Sequence, residues 1–291
     1  MRALGIDVGI GKGLDLVVLD DRRTTERVLP RVPLRRLPGL IDELGPDAIA
    51  IDAPPGWAIG GGSRLTERVL AEFNIHSFHT PSAANGKGHR FYEWMRVGFR
   101  VFRAAARAGF PRYAAGDPRG TAMEVFPHAS ATVLAGCLRP KSLAKRPWRQ
   151  GVLRANGVPV EELTSADLVD AGLCALTGLL ALQGEHFAPG DPREGVIVLP
   201  VVTLPARPFL PLAPAPAAGF ADASSVAAPA TAPLFRYCAC EDPSCRELTR
   251  NEFAPGHDAK RKALLWRRAR DGVDAVAELQ RREWGLPPES R

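Results

Sequence analysis

Five carboxylates in this 291-residue chain stand where an acid is costly or where two acids share a face: Asp7, Asp52, Glu124, Asp167 and Asp170. Asp7 lies in the apolar run Ala3-Leu4-Gly5-Ile6-Asp7-Val8-Gly9, Asp52 closes Asp47-Ala48-Ile49-Ala50-Ile51-Asp52, and Glu124 sits inside Thr121-Ala122-Met123-Glu124-Val125-Phe126-Pro127. An ionised carboxylate is expensive to bury unless something pairs with it, and hard oxygen ligands of this kind suit Mg²⁺ or Mn²⁺. Two readings stand for Asp7: a metal or phosphate-organising site, or a strand-end acid bonded only to the glycine turn Gly9 to Gly13. Asp52, just before Ala53-Pro54-Pro55, also has two: a ligand, or a turn-capping residue. Asp167 and Asp170 stand three apart in a helical pattern and so face the same way. Asp167 is accounted for by the positive end of that helix. Asp170 precedes Ala171, Leu173, Cys174 and Leu176, so it is expected to be half buried.

The elements that must carry these acids follow from periodicity. Residues 3–8, 14–19 and 25–29 read as three short strands, the first two joined by the Gly11-Lys12-Gly13 turn. Leu34, Leu37, Leu40, Ile41 and Leu44 fall at helical spacing, and Gly45-Pro46 stops that helix. The strand ending at Asp52 comes next. Leu65 to Phe73 reads as an amphipathic helix, and residues 91–108 as another with Phe91, Trp94, Met95, Phe99 and Phe102 toward the core. Pro127 ends the Glu124 strand before a helix that His128 is expected to cap. Thr164 and Ser165 cap the long helix from Ala166 to Gln183. Three strands, a helix and a fourth strand is the order of the RNase H-like fold, in which the first and fourth strands lie side by side.

Composition sets the outer bounds. With 45% hydrophobic and 24% charged residues, the chain suits one large domain and a small second one. It shows no basic-then-apolar leader and no uncharged run of membrane-spanning length, so a cytoplasmic, membrane-free protein is expected. The net charge of +6 is unevenly spread: Lys87 to Arg154 holds 14 Lys and Arg against Glu93, Asp117 and Glu124. Such a window fits a nucleic-acid surface or a solvated basic face. Within it, the basic stretch Lys141 to Arg154 contains Trp148, which either stacks on a base or anchors a loop. His76, His79 and His89 lack the spacing of a zinc site and read as loop hydrogen-bonding residues.

Gly5-Ile6-Asp7, Ile51-Asp52-Ala53-Pro54, Thr80-Pro81-Ser82, Glu124-Val125-Phe126-Pro127 and Asp167-Leu168-Val169-Asp170-Ala171 occur in an order that resembles a family of bacterial and archaeal proteins of unknown function. That family is described as predicted nucleases of RNase H-like fold. The resemblance covers roughly residues 1–200, and the acidic pair on the last helix resembles that of Holliday-junction resolvases of the same superfamily. It implies a mixed α/β sheet flanked by helices and metal-assisted hydrolysis of phosphodiesters, with two divalent ions about 3.5–4 Å apart. Asp7 would then bridge, Asp52 and Asp170 would flank, and Glu124 or Asp167 would contribute a fourth contact. Nucleic acid is the implied partner; no oligomeric state is implied.

Two other classes start from the same residues. Sugar kinases and actin-like ATPases also open on an Asp-containing strand and a glycine hairpin, and Lys12 is a candidate phosphate ligand; the second phosphate loop they need is missing from this sequence. A catalytically inactive fold that binds nucleic acid or protein is the other. Past residue 200 the composition turns to Pro and Ala, a linker over residues 201–235, followed by a small module at 236–291. There Cys238, Cys240, Cys245 and His257 make a Cys₃His set for structural Zn²⁺, which a module of this size needs in place of a core. Cys137 and Cys174 stand alone in apolar contexts and read as packed thiols.

Overall fold

One glycine turn and one Asp-Arg turn shape the opening of the chain into a meander. In the computed structural model, which describes residues 1–211 and two further short strands, β1 (Arg2–Val8), β2 (Leu14–Asp20) and β3 (Thr25–Val32) pair antiparallel. Gly13 takes φ +93°, and a Cβ there would lie 2.7 Å from the Arg31 carbonyl carbon. Only a bare residue lets β3 close over that hairpin. Helix α1 (Leu37–Leu44) buries Leu37, Leu40, Ile41 and Leu44 and ends on Gly45 in the left-handed region. It returns the chain to β4 (Ala48–Asp52), which pairs parallel to β1.

Three helices, α2 (Leu65–Glu72), the short α3 (Ala83–Gly86) and α4 (Glu93–Arg107), lead to β5 (Ala122–Val125). Then come α5 (Pro127–Ala135), α6 (Lys145–Ala155), α7 (Ala166–Leu182) and the strands β6 (Gly190–Asp191) and β7 (Gly195–Val198). The sheet order is β3-β2-β1-β4-β5-β7-β6, with β1, β4, β5 and β7 parallel. This is the RNase H-like mixed sheet, and its first and fourth strands are central neighbours as expected. Among the described residues no helix is long and apolar enough to cross a membrane. The two further strands, β8 (Arg236–Tyr237) and β9 (Leu248–Thr249), pair antiparallel in a second unit of the chain.

Strand alternation sorts side chains onto two faces. Leu4, Ile6, Ile49 and Ile51 pack in one cluster with Val101, Phe102 and Ala105 of α4 and the apolar stripe of α1. The opposite face receives α7, whose Gly178 approaches the Cβ atoms of Ala3 and Ala50. Gly5 shares that face. A Cβ on Gly5 would fall 2.0 Å from the Ala171 carbonyl oxygen and 2.4 Å from the Ala175 nitrogen, so the helix backbone rests directly on β1. Gly5→Ala is therefore expected to destabilise the protein by at least the upper part of the roughly 1–3 kcal/mol typical of overpacking, because main-chain atoms cannot turn aside. Urea unfolding checks this; a midpoint equal to wild type would contradict the contact.

Several local expectations change. The basic stretch after Lys141 is largely helical, with α6 burying Trp148, Arg149, Val152 and Leu153. Pro147 falls in its first turn, where no N–H is missed. Trp148 is thereby an anchor in the core. His128 does not cap α5; its ring instead lies against Phe126 and Trp148. Phe91 is not a core residue: it belongs to a separate 3-10 turn before α4 and is 49% exposed. Of the proline-rich stretch, Leu204 and Phe209 are buried, Phe209 beside Phe73.

Candidate metal centre

Asp7 and Asp52 are register partners across the parallel β1–β4 pair, so their carboxylates leave neighbouring strands at the same level. Both belong to the face that α7 covers. Asp170 enters from that helix, which is capped by Ser165, whose hydroxyl accepts the Leu168 N–H at 3.0 Å. One ligand oxygen from each of Asp7, Asp52 and Asp170 lies within 4.8 Å of the others. Strand pairing, face parity and the bare Gly5 contact together bring the three acids to one point.

A second group shares Asp7. Asp15 on β2 is its antiparallel register partner, and Asp7, Asp15 and Asp167 likewise offer oxygens within 4.8 Å. Asp15 carries no signal in the apolar patterns above, although a hairpin that pairs Val8 with Leu14 necessarily sets Asp15 opposite Asp7. Asp167 thus joins Asp7 and Asp15, not Asp52, and its carboxylate meets Lys12 at 3.5 Å. Lys12 stays on this acidic rim.

The electrostatics follow from crowding. Burial, then the negative charges of Asp52 and Asp170, push the Asp7 carboxyl up to about 9. Burial and Asp170 raise Asp52 to about 7, against the pull of Arg149 and Lys145. Asp170 is the neutralised member: Arg149 pairs with one oxygen and Lys145 donates to the other at 2.9 Å. Burial, then the positive charges of Arg149, Arg139 and Lys145, drive His128 down to about 4, so its ring is neutral at pH 7. Three gathered carboxylates, two of them without a cation of their own among these contacts, fit a hard divalent ion.

Glu124 does not join them. Its parallel partner on β4 is Ile51, which packs on the α4 face, so Glu124 points away from Asp7 and Asp52. Both of its oxygens accept from Arg64, at 2.6 Å each. Arg64 also donates through Nε to Glu67 at 2.9 Å, and Glu67 accepts the Thr80 N–H and hydroxyl. Glu124 therefore belongs to a buried ionic cluster on the opposite side of the sheet. His89 does the local work expected of it, its Nδ1 accepting the Phe91 N–H at 3.2 Å. The zinc set Cys238, Cys240, Cys245 and His257 lies outside the described residues.

A family model described as "Protein of unknown function (DUF429)" matches residues 5–194. The chain belongs to this family. The match begins at Gly5 and ends at Glu194, so it takes in every member of both acidic groups. Among solved structures, the DUF429 chain is similar to Thermus thermophilus RuvC in complex with Holliday junction substrate, at 21% identity, covering 63% of this chain and 96% of that one with a TM-score of 0.34. A second Thermus thermophilus RuvC structure matches at 19% identity over 63% and 97%, with a TM-score of 0.33. No curated protein matches by sequence.

Proposed function

We propose that this DUF429 chain is a divalent-metal-dependent nuclease that hydrolyses phosphodiester bonds. The observation that carries the reading is the convergence of Asp7, Asp52 and Asp170 from two central strands and a helix, with the Asp7 carboxyl raised by burial and then by its acidic neighbours. Asp7, Asp52 and Asp170 are the ligands of an Mg²⁺ or Mn²⁺ ion, and Asp7 also faces a second ligand set with Asp15 and Asp167. Such an ion, when bound, lowers the pKa of water and neutralises charge that develops on a phosphoryl group. The protein's own part is distinct. Asp7 and Asp52 give up protons on loading, because a ligating carboxylate must be ionised. Lys145, with 54% of its side chain exposed, and Lys12, with 68%, stand at the rim as cations for a polyanionic substrate. Arg149, buried behind Asp170, pairs with that carboxylate and fixes its position.

Incubation with labelled single-stranded, duplex, hybrid and branched nucleic acids in Mn²⁺ tests the proposal. Cleavage is expected, and Asp52→Asn is expected to lower it beyond the roughly 10–100-fold typical of outer-sphere partners. No cleavage by wild type, or the same rate in Asp52→Asn, would remove the idea.

A further inference from the structure

A run of aromatic rings leaves the end of β4 and finishes in solvent. Trp57, in the loop after Asp52, meets Phe99 of α4 edge-on with ring centroids 4.7 Å apart and Tyr92 at 6.4 Å. Tyr92 meets Phe91 at 5.1 Å, Phe91 meets Phe78 at 5.5 Å, and Phe78 meets Trp94 at 6.4 Å. The inner end is fixed in place. A Cβ on Gly86 would stand 2.4 Å from the Trp57 ring, and one on Gly98 would stand 2.4 Å from the Ala53 Cβ. The Ala58 N–H donates to the Pro81 carbonyl at 3.0 Å, tying the two loops together. The outer end is open, with Phe78 66% and Phe91 49% exposed.

Large rings this exposed are unusual on a monomer unless something covers them. The charge around them narrows what that is. Between the exposed Glu72 and Glu93 the chain contains no Asp or Glu, while Lys87 and Arg90 are exposed there. Flat rings flanked by cations complement a chain of phosphates that carries flat, unstacked bases.

We propose that Phe78 and Phe91 form a stacking platform for an unpaired base of a single-stranded nucleic acid, with Lys87 and Arg90 on its phosphates. This rests on the reading of the acidic centre as a nuclease, and it deepens that reading by naming an unpaired segment as the feature recognised beside the centre.

The full-length protein, free of divalent metal, is titrated into DNA and RNA strands that carry 2-aminopurine in a single-stranded run, in an unpaired flap, or within perfect duplex. Fluorescence quenching and anisotropy are followed together. Quenching is expected in the first two contexts and not in the third. Phe78→Ala and Phe91→Ala are each expected to weaken binding by about 5- to 100-fold and to remove the quench, as loss of one stacked base requires; Phe78→Tyr restores both. Lys87→Ala and Arg90→Ala are expected to flatten the salt dependence of binding. Single-strand affinity and quench unchanged in the phenylalanine variants overturn the platform. So does a self-association, seen by sedimentation, that Phe78→Ala abolishes while nucleic-acid affinity stays the same. The readouts separate the two proposals. Cleavage that depends on Asp52, with binding indifferent to Phe78, keeps the metal centre and removes the platform, whereas quenching without any cleavage does the reverse.

Discussion

Asp7→Asn is expected to be more stable than wild type at pH 8 in the absence of divalent ions, by more than the roughly 1.4 kcal/mol that one pKa unit represents. The sign follows from proton linkage. With Asp7 at about 9 in the folded protein and an ordinary value of 3.8, the folded state holds a proton across this window that the unfolded state has lost. Stability is thus fully present below about pH 4 and drains away as pH rises toward about 9. Asp52, raised to about 7, adds to the loss over the lower part of that range. Asparagine at position 7 removes that residue's own titration, so the slope flattens. Ion-paired acids elsewhere slope in the opposite direction, so the difference between variant and wild type is the quantity to read. Saturating Mn²⁺ at pH 8 is expected to raise the melting temperature of wild type with release of protons, and to leave Asp7→Asn nearly unmoved. Thermal scans from pH 5 to 9, with and without Mn²⁺, check all three statements; parallel pH slopes in the two proteins would contradict the crowding.

The second large effect is on the other face of the sheet. Arg64→Ala is expected to destabilise the protein by about 3–5 kcal/mol, the range for breaking a buried ion pair from one side. Arg64 is 2% exposed and holds both oxygens of Glu124 while also pairing with Glu67. Burial already raises the Glu124 carboxyl despite Arg64, so without the guanidinium it protonates more readily still. The penalty is therefore larger at pH 8, where the proton must be taken up, than at pH 5. Arg64→Met combined with Glu124→Gln is expected to recover part of the loss, since it removes both charges together. Urea midpoints at the two pH values measure this, and a loss below about 1 kcal/mol would show the cluster to be solvated.

What was legible in the sequence follows from how local each signal is. Asp7 lies inside an apolar run and Asp52 ends one, and the order of strands and helix around them implies that the runs are neighbours; both signals are local. Asp170 was legible from helical spacing, because a carboxylate on an apolar stripe has to point inward. Glu124 looked equivalent, yet its parity is the reverse: its register partner is Ile51 and not Asp52. Alternation within one strand cannot reveal parity relative to another strand until their register is known. The same gap hid Arg64, whose partner lies 60 residues away. Asp15 is a different case. Its position opposite Asp7 depends only on the hairpin turn, and counting outward from that turn would have found it. The spacing of Phe91 continues the α4 stripe and so points to the core, but the break between the 3-10 turn and α4 rotates it outward.

The bare contact at Gly5 has a consequence for how the acidic centre is dimensioned. Since the backbone of α7 lies on the backbone of β1, the separation between Asp170 and the two strand aspartates is set by main-chain thickness and not by the rotamers of intervening side chains. The helix has nowhere to advance, and retreat would open the core along Ala171, Ala175 and Gly178. The centre is therefore a gauge of fixed width, in which the reach of each acid must match a span it has no power to change. At position 170 an aspartate brings its oxygen within 4.8 Å of those of Asp7 and Asp52, and a side chain of another length has no shift of the helix to compensate for it.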